Sequence, residues 1–299
     1  MIVLPPPEVV VDGLTLPECP RWRDGALYFS DIAAGRIYRL GADGKAELLY
    51  ESQADFVGGL GFRQDGDLLA VLSKGRQLVR IGKDGPTAFA DLSSLCRFVL
   101  NDMVVVGDRA YVSQPGFDIW AEEPHGMPPA TDLIVVEANG RAKIAGSELM
   151  SPNGMAVSPD GGTLYVAEST AMRITAFALD PATGALSDRR VFGVLPDGGI
   201  PDGICLDSEG AVWAASPVAW TPTFYGAGRG VFRLVEGDEA THLVPVEKGR
   251  RALACAFGGA DRRSLYVCTV PDFEGSAATS AGKGRIERVS LDFAGAGVP

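Results

Sequence analysis

Six copies of one pattern run through the 299-residue chain and restrict the folds that it can adopt. Each copy contains a short apolar strand, a turn rich in Asp and Gly, and a second strand that ends in small or polar residues. A further strand follows each copy at a variable distance. Similar units that recur along a chain indicate a repeat architecture, in which each unit packs on its neighbours. The six copies begin at Cys19, Leu60, Asp102, Gly154, Gly203 and Cys255.

The size of the repeat favours a β-propeller. Six copies in 299 residues leave about 50 residues for each, which suits a four-stranded blade. Asp-Gly pairs at Asp24-Gly25, Asp65-Gly66 and Asp160-Gly161 favour tight hairpins, because both residues tolerate positive φ. We therefore predict an all-β, six-bladed propeller that occupies residues 1–299 as a single domain, with a metal site on its central axis. A large β-sandwich is the alternative, but it does not require six similar hairpins.

Composition and charge exclude several kinds of partner. The net charge is −11 and no cluster of Lys and Arg offsets it, so binding to nucleic acid or to an anionic membrane is disfavoured. The segment 1–13 lacks a basic region and is broken by Pro5, Pro6 and Pro7, which does not fit a signal peptide. Five scattered cysteines without CxxC spacing suggest reduced thiols. We expect a cytoplasmic protein that is a monomer or a small homo-oligomer.

A polar residue stands just before the first strand in four of the six copies. The innermost strand of each blade lines the channel of a propeller, so equivalent positions converge on the axis at one depth. Asn and Asp before Gly are also ordinary turn residues, and that is the alternative for each of them alone. Their recurrence at one position, with Pro before three of them, favours a site. The four residues are Glu18, Asn101, Asn153 and Asp202, and the other two copies offer Gly58 or Gly59 and Leu253 or Ala254.

These four side chains form a donor set that contains only oxygen ligands. Two carboxylates and two amides carry a formal charge of −2, which a divalent cation balances. Ca²⁺ accepts six to eight oxygen ligands, whereas Zn²⁺ and Fe²⁺ normally recruit His or Cys. The chain has only two histidines, His125 and His242, and neither lies in a recognisable motif. We expect one divalent metal ion, with Ca²⁺ favoured and Mg²⁺, Mn²⁺, Zn²⁺ and Fe²⁺ left open.

Four segments resemble the family of senescence marker protein (regucalcin), gluconolactonase and luciferin-regenerating enzyme. They are LPECPRW (16–22), ND (101–102), SPNGMAVSPDGGTLYVAES (151–169) and PDGICLDSEGAVWAA (201–215). The resemblance extends from about Glu18 to Asp292. It implies a six-bladed propeller with one axial divalent metal, and an activity on sugar lactones or other lactones. It also implies that Glu18, Asn153 and Asp202 are metal ligands, with Asp202 as general base and Asn101 in contact with substrate or water.

The sequence departs from this family at two places. Sugar lactonases of the family carry an Arg two residues before the Asn, where this chain has Val99, so Arg97 is the remaining candidate for a substrate contact. Cys19 stands where Gly is usual, and we interpret it as a small buried residue.

Two segments rich in aromatic residues and Pro, 114–129 and 217–230, are expected to be loops near the mouth of the channel. If they line it, they form an apolar wall around the substrate, and the alternative is packing within the loops. The candidate residues are Phe117, Trp120, Trp220, Phe224 and Tyr225.

The function that follows is hydrolysis of a lactone by a metal-activated water. Asp202 acts either as the base or as the group that orients a metal-bound hydroxide, and the sequence leaves both open. No GxSxG motif is present, which disfavours an acyl-enzyme. Two other functions remain open: hydrolysis of an aryl ester or phosphotriester on the same scaffold, and a non-catalytic calcium-binding or interaction propeller.

Overall fold

The computed structural model describes residues 1–121, 127–237, 239–271 and 281–297. In these ranges the strands form six sheets, and the molecule is a six-bladed β-propeller, as the repeat predicts. The helical pieces in the same ranges are three short 3-10 turns, so none has the length that a membrane-spanning helix requires. These turns are Ile32–Ala34, Ser169–Ala171 and Pro196–Gly198.

The first three blades follow two short N-terminal strands, β1 (Ile2–Val3) and β2 (Glu8–Leu14). Blade 1 comprises β3 (Pro17–Arg23), β4 (Ala26–Asp31), β5 (Arg36–Leu40) and β6 (Ala46–Glu51). Blade 2 comprises β7 (Val57–Phe62), β8 (Leu68–Leu72), β9 (Gln77–Gly82) and β10 (Gly85–Asp91). Blade 3 comprises β11 (Met103–Val106), β12 (Arg109–Val112), β13 (Thr131–Val136) and β14 (Ala142–Leu149).

The last three blades follow the same order. Blade 4 comprises β15 (Pro152–Val157), β16 (Thr163–Glu168), β17 (Arg173–Leu179) and β18 (Leu186–Val194). Blade 5 comprises β19 (Gly199–Ile200), β20 (Ile204–Leu206), β21 (Val212–Thr221), β22 (Phe224–Leu234) and β23 (His242–Pro245). Blade 6 comprises β24 (Arg250–Gly258), β25 (Ser264–Pro271) and β26 (Gly284–Ser290).

The start of the chain closes the propeller. Strands β3, β7, β11, β15, β20 and β24 contact one another in a closed ring, so they are the innermost strands. Strand β2 pairs antiparallel with β26 and becomes the outer strand of blade 6. Strand β1 pairs parallel with β23 at the edge of blade 5. The ring is therefore held shut by backbone hydrogen bonds between the two ends of the chain.

The core is divided among the interfaces between blades. Each neighbouring pair of blades encloses one cluster of buried apolar side chains, which explains why strands such as β11 are apolar on both faces. Representative pairs from blade 1 onward are Ile37 and Leu60, Leu69 and Met103, Tyr111 and Leu164, Ile174 and Phe232, Trp213 and Val267, and Leu253 and Phe29.

The predicted Asp-Gly turns are of two kinds. Asp24 and Gly25 both have positive φ, 48° and 76°, as a two-residue hairpin requires. In the two longer turns only Gly66 and Gly161 are positive, at 93° and 71°, so these two pairs do not form the tight hairpins that the sequence predicts. In the first of these, Gly66 N–H donates to the Arg63 carbonyl, which closes a turn before the left-handed glycine.

One buried carboxylate supports the start of blade 4. Glu168 is fully buried and accepts hydrogen bonds from Arg173 Nη2 at 2.9 Å, Arg189 Nη2 at 3.1 Å and the Met150 N–H at 2.8 Å. The Thr175 hydroxyl also donates to it. Burial alone would raise the pKa of Glu168, but the bonds from Thr175, Met150 and Arg173 outweigh it and the pKa is lowered.

Replacement of this carboxylate tests its contribution to stability. A lowered pKa in the folded state means that the stabilisation is present above pH about 4.3, the unfolded value, and is lost as pH falls through the folded pKa. Glu168→Gln should lower the free energy of unfolding by about 3 kcal/mol at pH 7, and the deficit should shrink in acid. Urea unfolding from pH 7 to pH 3 measures this, with the exposed Glu47→Gln as control. A deficit that is independent of pH contradicts the assignment.

Candidate metal centre

An extra residue interrupts the innermost strand of the blades at one level. In blade 1, Glu18 pairs with Ser30 and Arg21 with Tyr28, so β3 uses one residue more than β4 over this step. Strands β7, β15 and β24 contain the same one-residue excess against their neighbours. A β-bulge of this kind bends the strand and turns a side chain out of the regular alternation.

Blades 3 and 5 reach the same geometry through hydrogen bonds. The Asn101 N–H donates to the Ser113 carbonyl, and the Ser113 N–H donates back to the Asp102 carbonyl, so two residues face one. Asp202 and Gly203 face Ala215 in the same way. The bulge is therefore a feature of all six inner strands, and it coincides with the polar residues that the sequence singles out.

Hydrogen bonds between inner strands identify the equivalent residue in each blade. The Gly59 N–H donates to the Asn101 carbonyl at 2.8 Å, and the Gly203 N–H donates to the Leu253 carbonyl at 2.8 Å. Gly59 and Gly203 therefore occupy equivalent positions, so the residues before them, Gly58 and Asp202, are equivalent as well. The accepting residues, Asn101 and Leu253, are equivalent for the same reason. These bonds select Gly58 over Gly59 and Leu253 over Ala254. The ring of equivalent residues, called the axial ring below, is Glu18, Gly58, Asn101, Asn153, Asp202 and Leu253.

Glycine occupies one position of the axial ring, at Gly58, and follows two others, at Gly154 and Gly203. Glycine is needed there because the backbones of neighbouring inner strands lie very close together. A Cβ at Gly58 would lie 2.4 Å from the Asn101 carbonyl oxygen. A Cβ at Gly154 would lie 2.5 Å from the Asp202 carbonyl oxygen, and one at Gly203 would lie 2.3 Å from the Ala254 Cβ. Contacts this short leave no room for any side chain, so these glycines permit the spacing that brings the polar groups together.

The four polar members of the axial ring are half-buried, and three of them are connected by hydrogen bonds. Asn101 Nδ2 donates to Asn153 Oδ1 at 2.8 Å, and the Asn153 amide is hydrogen-bonded to Asp202. Glu18 Oε2 accepts the Cys19 N–H at 2.9 Å. Cys19 has φ 50°, a left-handed conformation that glycine adopts without strain, and it is buried as expected.

The two carboxylates of the ring have raised pKa values, and the nearby charge of Arg21 opposes this only in part, at Glu18. Burial raises the pKa of Glu18 well above its ordinary value, and the charge of Asp202 raises it further. Burial, followed by the charge of Asp102, raises the pKa of Asp202 to about 8, against a lowering contribution from Asn153. In the described part of the chain neither carboxylate has an ion-pair partner. A bound cation would stabilise both ionised forms.

The donor set fits a hard cation better than a soft one. No group of three or more His, Cys, Asp and Glu that could hold a metal occurs in the described ranges, and the ring supplies two carboxylates and two amides instead. The Asn153 carbonyl oxygen has two lone pairs, and the bond from Asn101 occupies one of them. Oxygen donors of this type suit Ca²⁺, Mg²⁺ or Mn²⁺.

Trp120 is connected to the axial ring by a chain of hydrogen bonds through residues that the sequence did not suggest. Its Nε1 donates to Ser73 Oγ at 3.0 Å, and Ser73 Oγ donates to the carbonyl of Leu100, which precedes Asn101, at 2.6 Å. Phe56 packs edge-on against Trp120, with ring centroids 4.5 Å apart. Phe117 is half-buried in the same connection, of which residues 122–126 lie outside the described ranges.

The segment 217–230 is a β-hairpin, so the prediction of a loop was wrong. Strands β21 and β22 stay paired as far as Thr221 with Phe224, because the aromatic and small residues there suit a continuous ladder. The hairpin continues beyond Ala215, whose carbonyl accepts the Asp202 N–H, so it projects from the same face as the ring. Its side chains are open to solvent, with Trp220, Phe224 and Tyr225 exposed by 47%, 53% and 70%.

Arg97 does not join the ring. It is exposed, and its guanidinium lies over the Phe98 ring at 5.1 Å, whereas Val99 is buried. Its contact with substrate stays a prediction. Two charged residues that the sequence did not single out, Arg21 and Asp102, are buried next to ring residues. Their signal was a charged residue close in sequence to a ring residue.

Comparison with known proteins agrees with this architecture. Residues 16–271 match the family described as SMP-30/Gluconolactonase/LRE-like region. Pentonolactonase XacC of Haloferax volcanii is 29% identical over 300 residues, which is 97% of this chain and 95% of that protein. The solved gluconolactonase XC5397 of Xanthomonas campestris is 25% identical with a TM-score of 0.71, covering 95% of this chain and 88% of that one. A calcium-binding regucalcin of Agrobacterium tumefaciens has a TM-score of 0.76 at 21% identity, covering 99% and 97%.

The protein is a six-bladed propeller whose inner strands bring four candidate oxygen donors to one level. The match covers well over half of the chain, so the protein belongs to the SMP-30/gluconolactonase/LRE-like family.

Substitution of a ring glycine tests the close approach of the strands. Gly58→Ala should destabilise the fold by about 1–3 kcal/mol, because the new Cβ displaces the carbonyl of Asn101. Gly193→Ala is the control, since its Cβ would meet its nearest atom at 3.7 Å, and it should change stability by less than about 0.5 kcal/mol. Thermal unfolding measures both. Equal effects of the two substitutions contradict the packing argument.

Proposed function

We propose that this protein is a divalent-metal-dependent lactonase whose reaction centre is the axial ring. The observation that carries the proposal is that the bulges of four blades bring four oxygen-donor side chains to one level. Two of these side chains are carboxylates that lack an ion-pair partner in the described ranges. A solvated turn does not bring residues from separate blades to one point.

The relatives support the chemistry. The family to which the chain belongs includes the pentonolactonase of Haloferax volcanii and the gluconolactonase of Xanthomonas campestris, and both match nearly the whole chain. Lactone hydrolysis is therefore the reaction that we assign. A neutral lactone also suits a protein with a net charge of −11, which would repel a strongly anionic substrate.

Glu18, Asn153 and Asp202 are the proposed ligands of the cation. A divalent cation held by these residues would polarise the lactone carbonyl and stabilise the negative charge that develops on its oxygen. Ca²⁺ is the favoured ion because all the donors are oxygens. The Cys19 N–H holds one Glu18 oxygen at 2.9 Å, which fixes the orientation of that carboxylate before a ligand binds.

Asp202 and Asn101 have different proposed roles beside the cation. Asp202 orients the attacking water and accepts its proton; a nearby positive charge lowers its pKa from about 8 towards the range in which a carboxylate is ionised and still basic. Asn101 is held by its bond to Asn153 Oδ1 and offers its second amide N–H to the substrate or the water. Trp120 and Phe56 form an apolar wall near Asn101, where the ring of a lactone can pack.

Removal of the metal tests the proposal. Protein treated with a chelator should lose lactone hydrolysis and regain it on addition of Ca²⁺, and Glu18→Gln and Asp202→Asn should each lose calcium binding in calorimetry. The same two variants should melt at a higher temperature than the metal-free wild type, because each removes a repelling buried carboxylate.

A panel of sugar lactones, alkyl lactones, aryl esters and a phosphotriester identifies the reaction. Full turnover of the lactones by metal-free protein excludes a metal-dependent mechanism. Preference for the phosphotriester or the aryl ester assigns a different hydrolysis to the same centre.

The two ring amides should respond differently to truncation. Asn153→Ala removes a proposed ligand, so calcium affinity should fall and activity should partly return at high calcium concentration. Asn101→Ala should leave calcium affinity much less changed and lower kcat/KM about ten- to a hundredfold, the effect of one lost hydrogen bond in the transition state. Calorimetric titration beside steady-state kinetics measures both. Equal loss of calcium in the two variants makes Asn101 a ligand.

A further inference from the structure

An ion pair that the proposed mechanism does not use lies directly behind the axial ring. Arg21 follows Glu18 by three positions on β3, and Asp102 is the residue after Asn101. Arg21 Nη2 lies 3.0 Å from Asp102 Oδ1, and the two side chains are exposed by only 4% and 6%. A guanidinium and a carboxylate therefore meet inside the molecule, next to the candidate metal centre.

The surroundings fix the position of both groups. Asp102 Oδ1 also accepts the Met103 N–H at 2.7 Å. Arg21 donates further to the Met103 carbonyl at 2.5 Å and to the Pro20 carbonyl at 2.9 Å. The Arg21 Nε, in contrast, has no hydrogen-bond partner among the described residues, and the side chain borders a cavity of about 70 Å³. A buried guanidinium with an unpaired donor is unfavourable for stability, which suggests that its charge has another use.

The charge of Asp102 reaches both carboxylates of the ring. It contributes to the raised pKa of Glu18 and of Asp202, while Arg21 acts on Glu18 in the opposite direction. An arginine side chain stays protonated even when it is buried. With Arg21 present, the charge of Asp102 behind the axial ring is nearly cancelled. Without Arg21, the two ring carboxylates would lie close to a third carboxylate that has no ion-pair partner.

We propose that Arg21 and Asp102 are positioning residues that set the cation affinity of the axial ring: Asp102 attracts the cation, and Arg21 cancels most of that attraction and turns the carboxylate away from it. The inference depends on the proposed function, because it requires a divalent cation at the ring. Through its neighbour Asn101, the pair also anchors the amide chain from Asn101 to Asn153.

Substitutions at the two positions should shift calcium affinity in opposite directions. Arg21→Met leaves Asp102 uncompensated and should tighten calcium binding about tenfold, whereas Asp102→Asn leaves Arg21 uncompensated and should weaken it about tenfold. The double variant Arg21→Met/Asp102→Asn should bind calcium nearly as the wild type does. Calorimetric titration with Ca²⁺ measures affinity, and thermal unfolding with and without Ca²⁺ measures stability separately.

The stability readout distinguishes this charge effect from a merely structural role. Loss of packing would lower the melting temperature and weaken calcium binding in both single variants, and the double variant would be no better. Arg21→Lys keeps the charge without the forked geometry, so its calcium affinity should stay near that of the wild type even where its melting temperature falls. If Arg21→Met does not fold, Arg21→Lys still distinguishes the two roles: a calcium affinity near that of the wild type supports the charge effect, and a weakened affinity contradicts it.

The proposed function and this inference are contradicted by different results. A wild-type protein that binds no divalent cation overturns both the proposed function and this inference. A wild-type protein that binds calcium, with both single variants shifted in the same direction, overturns the inference alone and leaves the proposed function intact.

Discussion

The whole structure depends on how closely the six inner strands approach one another at their bulges. Hydrogen bonds such as Gly59 N–H to the Asn101 carbonyl join one blade to the next at this level, and glycine is required because a Cβ would collide with the neighbouring backbone. The extra residue in each strand then turns a side chain towards the axis. Packing of the blades and assembly of the site are therefore consequences of the same local geometry.

This geometry concentrates negative charge at the axial ring, where Glu18 and Asp202 have no ion-pair partner among the described residues and only the neighbouring Asp102 is paired, with Arg21. Glu18 and Asp202 are each buried enough for their pKa values to be raised, and Asp102 adds a third carboxylate close behind them. Other buried carboxylates in the described ranges are paired, as Glu168 is with two arginines and Asp207 with Arg233, or accept backbone N–H groups, as Asp31 does from Thr15 and Leu16. A region that the fold leaves unneutralised in this way is typical of a functional site, where stability is given up for binding.

Much of the fold could be predicted from the sequence because its signals are local and repeated. Six hairpins with similar turns specify six blades, and the polar residues before the first strand in four of the copies specify a level on the axis. The closure by β1 and β2 was not predicted, since the pairing of Glu8 with Arg288 joins residues from opposite ends of the chain. The hairpin of β21 and β22 was mistaken for a loop, because its Pro and Gly residues obscure a ladder that continues as far as the pair of Thr221 with Phe224.

The candidate site was predictable as a set of residues, and less so in its surroundings. Asn101 and Asn153 are hydrogen-bonded as their shared register suggests, but Arg97 is exposed and stacked on Phe98 instead of facing the ring. The partners of Trp120 come from blade 2, and no spacing along the chain relates residue 120 to Phe56 or Ser73. Contacts between blades are set by the three-dimensional closure of the ring, which periodicity within one repeat does not encode.

The most direct test of the account is the position of the cation itself. A crystal of the protein grown with Ca²⁺, measured at a wavelength where calcium scatters anomalously, locates the ion independently of any activity. We expect one anomalous peak on the propeller axis. The carboxylate and amide oxygens of Glu18, Asn153 and Asp202 should lie about 2.3–2.6 Å from the ion at this peak. A calcium-saturated crystal with no peak at the axial ring, or with its peak bound by other residues, would contradict the central claim.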